Sequence, residues 1–135
     1  IIRYQKKISG PIADRIDMWI EVPLLEHKKL HEKGTGGITT DNAKSIISRA
    51  REFAMKRFGK SVFKNNAELM SKEIEKLIPL SDNVAKILLQ SAEKLNLSPR
   101  AYHKTIKVAR TIADLDQKEN IEVPHILEAL QYRKK

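Results

Sequence analysis

The sequence contains no cysteine. That excludes a disulfide framework and thiolate metal sites, and it fits a reducing, cytoplasmic setting. Glycine and proline are scarce, five of each, and they fall near segment ends, so long helices can run between them uninterrupted. Aromatics are few: three Phe, three Tyr and one Trp. With Phe53 and Tyr102 placed on apolar helix faces, little aromatic surface remains for stacking on bases. No apolar run approaches the roughly 20 residues of a membrane span, and no partner membrane is expected. The chain opens on Ile1-Ile2-Arg3-Tyr4, without an initiator Met or a signal core, and reads as a piece of a longer protein. Also missing is a glycine-rich phosphate cradle ending in Gly-Lys-Ser/Thr: Gly36-Gly37 has no following Lys. This chain alone is therefore not expected to hydrolyse ATP.

What is present is a basic, mainly α chain. Its 135 residues carry a net charge of +9 with 41% hydrophobic residues, enough for one domain with a modest core. The charge admits two readings, solubility or a polyanion partner such as nucleic acid or nucleotide phosphates.

Organisation changes along the chain. Ser9-Gly10-Pro11 is a breaker. Ile16, Met18, Ile20 and Val22 then alternate with Asp17, Trp19 and Glu21, which predicts a strand closed by Pro23. No second convincing strand follows. Unpaired backbone groups are costly to bury, so the sheet for this strand is expected outside the chain. Residues 1–23 thus form a strand-containing remnant, and residues 24–39, with Gly34-Thr35-Gly36-Gly37, form a linker. Residues 1–35 are expected to be poorly ordered or to borrow a neighbour's surface.

Residues 40–135 are helical in pattern. Thr40 is the predicted cap of a first helix with Ala43, Ile46, Ile47, Ala50, Phe53 and Ala54 inward, ending at Gly59. Asn66 is the predicted cap of a second, with Met70, Ile74 and Leu77 inside, closed by Pro79. Ser81 opens a third, with Val84, Ala85, Leu88, Ala92 and Leu95 inward, and Asn96 stops it. Ser98-Pro99 opens a fourth with Tyr102, Ile106, Ala109, Ile112 and Ala113 inward. Val123-Pro124 starts a fifth carrying Ile126, Leu127 and Leu130. Short connections between five helices fit a compact bundle.

Few residues point to chemistry. His27 and His31 are four apart, but Glu32 lies outside the pair rather than directly after the first His, so no metal site is assigned. His103 reads as an exposed helix residue and His125 as a first-turn residue. No glycine-flanked serine elbow supports a Ser–His–Asp hydrolase. Arg49, Arg51, Lys56, Arg57, Lys60 and Lys64 form either a solvated face or a patch for nucleic-acid phosphates. Arg100 sits second in its helix, against the positive end of the helix dipole. An anion bound at that helix end would give it a reason to be there. Arg15 lies between Asp14 and Asp17, either of which could pair with it on the surface.

Three blocks carry a resemblance. Tyr4-Gln5-Lys6-Lys7-Ile8-Ser9-Gly10-Pro11 runs on to Asp14-Arg15-Ile16-Asp17 and Glu21-Val22-Pro23. Leu97-Ser98-Pro99-Arg100-Ala101-Tyr102-His103-Lys104 precedes Lys107-Val108-Ala109-Arg110-Thr111-Ile112-Ala113-Asp114-Leu115. The third block is His125-Ile126-Leu127-Glu128-Ala129-Leu130-Gln131-Tyr132-Arg133. Together they resemble the Mg-chelatase-like AAA+ ATPases of the competence protein ComM (YifB) type. The likeness covers nearly the whole chain and is loose between residues 24 and 94. Ile12-Ala13 departs from the family's two leucines, and Pro99 stands where Ala is common.

The resemblance implies a helical C-terminal lid domain behind the end of an ATPase core. It implies that Arg15 is an arginine finger acting in trans on a neighbouring subunit's ATP, and that Arg100 is a second-sensor arginine on the γ-phosphate in cis. It further implies a hexameric ring, ATP and Mg in the full-length protein with none bound by this piece, and a phosphate cradle upstream of Ile1. DNA branch migration in natural transformation is the activity it suggests. Two alternatives stand beside it: a stand-alone basic helical DNA-binding module, and the lid of an ATPase that inserts metal into a porphyrin.

Overall fold

The computed structural model describes residue 12, residues 15–24 and residues 37–133. The Ser9-Gly10-Pro11 breaker, the His27/His31 pair and most of the expected linker lie outside the described residues. Among those described, the chain forms five α-helices and one 3-10 turn, with no strand. The helices are α1 (Thr40–Phe58), α2 (Ser71–Leu77), α3 (Asp82–Lys94), α4 (Pro99–Leu115) and α5 (Val123–Gln131), and the turn is Asn66–Glu68.

Helix ends follow local chemistry. Thr39, one residue before the expected cap, accepts the Asn42 N–H at 3.3 Å and starts α1. Gly59 ends α1 with φ of 54°, in the left-handed region that favours glycine. Ser98 accepts the Ala101 N–H at 3.2 Å, with Pro99 at the first helical position of α4. Helices α3 and α4 stop in the same way. Asn96 (φ 49°) and Gln117 (φ 55°) turn left-handed. Leu97 N–H then reaches back to the Ala92 carbonyl, and Lys118 N–H to that of Ala113. These bonds satisfy carbonyls that a helix end leaves open.

Helix α4 is the hub. It contacts α1, the 3-10 turn, α2 and α5, while α3 packs on α5. Its Ile106, Ala109, Ile112 and Ala113 meet Leu69, Ile74, Leu88 and Ile126 in one apolar core. Leu69, Leu88 and Ile126 are fully buried, each stabilising the fold by about 1.5–3 kcal/mol.

Three expectations need correction. The second helix is split: Asn65, not Asn66, caps the 3-10 turn, and the chain at Met70 is extended before α2 begins. At that break Leu69 is buried in the core and Met70 is left 74% exposed. On the amphipathic faces, Ile47, expected inward, is exposed, and so is Leu127. The buried residues of α1, Ala50, Ala54 and Phe58, all lie in its second half, and Leu127 lies one position off the stripe formed by Ile126, Ala129 and Leu130.

The third correction concerns the remnant. Residues 16–24 form neither helix nor strand and belong to no ladder. The Trp19 N–H bonds to the Tyr132 carbonyl at 2.7 Å, and the Lys104 ammonium donates to the Ile16 carbonyl at 2.8 Å. With no second strand beside it, the segment lies as a strap on the helices. Met18, Ile20 and Val22 stay exposed, and Leu24 is fully exposed.

Candidate functional site

The strap, the Asn96–Ser98 connection, the first turns of α4 and the end of α5 enclose an open cavity of about 300 Å³. Its polar lining includes Asp17, Asn96, Ser98, Arg100, Lys104 and Arg133. Arg100 is the second residue of α4 and is exposed; its guanidinium has no hydrogen-bond or ion-pair partner among the described residues. The helix dipole is positive at this end, so a cation here is disfavoured by a few tenths of a kcal/mol, roughly, unless an anion joins it.

Lys104 lies one turn further along the same face of α4. Besides the Ile16 carbonyl it faces the Asp17 carboxylate at 3.5 Å. Asp17 therefore turns to α4 rather than to Arg15, whose side chain is exposed with no partner among the described residues. Asp14 lies outside the described residues. The structure thus brings the segment next to Arg15 onto the helix that begins with Arg100.

The basic group sorts differently. Arg49, Arg51, Lys56, Lys60 and Lys64 are exposed. At 100° per residue, Arg49 and Lys56 share one flank of α1, Lys44 and Arg51 share the other, and Glu52 lies between. Ser48 donates to that Glu52 carboxylate at 3.3 Å. The exposed face of α1 is thus a mixed-charge surface rather than one basic stripe. Arg57 leaves the set altogether, because its guanidinium points into the fold.

There it meets a network that the sequence reading did not find. Arg57 grips Asp114 through both terminal nitrogens, at 2.6 and 2.9 Å, and donates to the Asn66 side-chain carbonyl at 2.8 Å. Arg110 donates to the same carboxylate through Nε at 3.1 Å and to the carbonyls of Glu119 and Lys118. The Asn66 amide donates to Asp114 at 2.9 Å and to Thr111 at 3.1 Å. The Arg110 and Asp114 side chains are 2% and 3% exposed and that of Arg57 16%. Two guanidiniums thus face one carboxylate, and the carbonyls past the negative end of α4 offset the excess positive charge. Burial lowers the Arg110 pKa, Asp114 opposes that shift and Arg57 adds to it. The guanidinium nevertheless stays charged at physiological pH. One buried donor, Arg57 Nε, has no partner. The available signal was two charges four residues apart, Arg110 and Asp114, on the apolar face of α4; the partner at Arg57 is 57 residues from Asp114 and left no local trace.

The remaining histidines are structural or peripheral. His125 is buried in the first turn of α5. Its Nδ1 accepts the Glu122 N–H at 2.9 Å, which leaves Nε2, 3.2 Å from Asp116, as the donor. His103 is half-buried and meets Tyr102 edge to face. Among the described residues no group of three His, Cys, Asp or Glu could hold a metal, and no helix is long and apolar enough to cross a membrane.

Comparison with known proteins finds a family model described as magnesium chelatase, subunit ChlI C-terminal, matching residues 37–133. A second model, magnesium chelatase, subunit ChlI, matches residues 1–30. The chain is 46% identical over 98% of its length to competence protein ComM of Haemophilus influenzae. It is 38% identical to the uncharacterized protein YifB of Escherichia coli and 35% identical to that of Salmonella typhimurium, each over 98% of its length. The chain spans about a quarter of the length of these curated relatives.

Proposed function

This chain belongs to the magnesium chelatase subunit ChlI family, carrying its C-terminal domain, and from that premise we propose that it is the lid region of a ring-forming AAA+ ATPase. The observation that carries the proposal is the pair of exposed guanidiniums without partners among the described residues, Arg100 at the amino end of α4 and Arg15 beside the strap seated on that helix. Both fit an anionic phosphate chain. Permanent charge and a planar fork suit arginine to phosphoryl oxygens.

Arg100 contacts the γ-phosphate held by its own subunit, and the positive end of α4 supports it there. Arg15 reaches the nucleotide of the neighbouring subunit and stabilises charge that develops during phosphoryl transfer. Bound ATP with Mg supplies the scissile phosphoryl group and the neutralising cation. The ligands of that cation are expected upstream of Ile1. The lid couples nucleotide state to domain position.

The likeness to competence protein ComM supports a motor that acts on DNA by branch migration in natural transformation, in preference to metal insertion into a porphyrin. Where this region touches DNA, the exposed Arg49, Arg51, Lys56, Lys60 and Lys64 are the residues for phosphate contacts. The mixed-sign face of α1 argues against a stand-alone DNA-binding module. In the full-length ring the ATPase core covers the exposed Met18, Ile20 and Val22, while the strap keeps its bonds to the helices.

The trans role is tested by doping Arg15→Ala subunits into wild-type full-length rings. Turnover is expected to fall more steeply than the wild-type fraction, because each variant also silences its neighbour's site. A strictly proportional fall shows that Arg15 serves only its own subunit or none.

A further inference from the structure

Two of the contacts made by Lys104 go to the strap. Its ammonium donates to the Ile16 carbonyl at 2.8 Å and faces the Asp17 carboxylate at 3.5 Å. Asp17 is half-exposed, and an ion pair of that kind contributes little to stability. The bond to the carbonyl is of a stronger kind, made by a charged donor whose side chain is mostly buried. A second backbone bond, from the Trp19 N–H to the Tyr132 carbonyl, pins the strap three residues further on. The apolar side chains of Met18, Ile20 and Val22 do not hold it, since they face solvent. Ile16 and Trp19, both half-buried, line the cavity beside it, so the seat is part apolar and part polar, and Lys104 is a polar contribution to it from α4.

The geometry gives this seat a consequence. Arg15 directly precedes Ile16, and neighbouring Cα atoms are only about 3.8 Å apart, so fixing the Ile16 peptide confines the backbone of Arg15. Arg100 lies four residues before Lys104 on one rigid helix, about 6 Å along the axis. One helical turn thus separates Arg100 from the anchor of the Arg15 segment, with the cavity between them.

We propose that Lys104 is a positioning residue that ties the Arg15 segment to the helix carrying Arg100, so that the two arginines move as one body. The inference rests on the phosphate roles given above to those arginines. Contact of Arg100 with phosphate in its own subunit then sets how Arg15 is presented to the next one. The role is geometric: Lys104 touches neither nucleotide nor reacting atoms.

The test uses the full-length ring and steady-state ATP hydrolysis. Lys104→Met removes the ammonium and keeps the stem. It is expected to lower kcat about tenfold with KM for ATP changed less than about twofold, and Lys104→Arg, which keeps a donor, to recover most of the loss. Combined with Arg15→Lys, Lys104→Met is expected to cost much less than it does alone, because it acts through Arg15. If Arg15→Lys alone turns over like wild type, the arginine-finger reading fails. If Arg15→Lys is impaired while Lys104→Met matches wild type, or raises only KM, or multiplies fully with Arg15→Lys, the positioning inference fails and that reading survives. Should Lys104→Met not assemble, Lys104→Gln, which keeps only a shorter neutral donor, gives the same reading through a smaller kcat loss, of about threefold, with KM unchanged; no kcat loss overturns the inference.

Discussion

Helix α4 has an arginine near each end, and the two live in opposite surroundings. Arg110, towards the carboxyl end, is buried and donates to a carboxylate and two backbone carbonyls. Arg100, at the amino end, is exposed with no partner among the described residues. Arg110 sits where the helix dipole and the terminal carbonyls favour a cation, and Arg100 where the dipole opposes one. An arginine whose donors are all engaged holds the fold together. One set against the local field, with no partner among the described residues, is the one proposed to meet an anion. Charge alone does not distinguish the two: Arg57 and Lys56 are sequence neighbours, and one is built into the interior while the other faces solvent.

The comparison can be broken most severely at Asp114. Replacing it by Ala leaves two buried guanidiniums without their carboxylate, and the expected loss is about 3–5 kcal/mol, a large part of the stability of a small domain. Urea unfolding of the chain measures it. A loss under about 1 kcal/mol would mean that water reaches the network and that the buried end of α4 is not its anchor. A milder effect belongs to the exposed end. Ser98→Ala removes the cap on the Ala101 N–H and should cost about 1 kcal/mol. No measurable change would place the start of α4 under tertiary control instead of its own cap.

How much of this was legible in the sequence depends on the range of the interactions. Helix ends written in adjacent residues were readable. Ser98-Pro99, Asn96 and Gly59 stop or start helices where expected, because capping and left-handed turns are set by the residues themselves. The break at Met70 was not readable. It arises because Leu69 fills the core and Asn66 reaches Arg57, Thr111 and Asp114, contacts that local periodicity does not contain. The alternation at residues 16–22 was read as a strand from its own pattern, but a strand needs a neighbour, and the segment hydrogen-bonds to two helices instead. At the site, Arg100 stood out through its position against the dipole. Lys104 did not, since its partner is a backbone carbonyl 88 residues away.

Arg100 is proposed to serve a phosphate and not the fold. That role is tested most directly by Arg100→Ala in the full-length protein, with ATP turnover and thermal melting measured on the same preparation. Turnover is expected to fall by about 100-fold or more, with melting unchanged or slightly raised as the unfavourable charge leaves the helix end. Wild-type turnover, or a loss of turnover that simply follows a lowered melting temperature, would contradict the account.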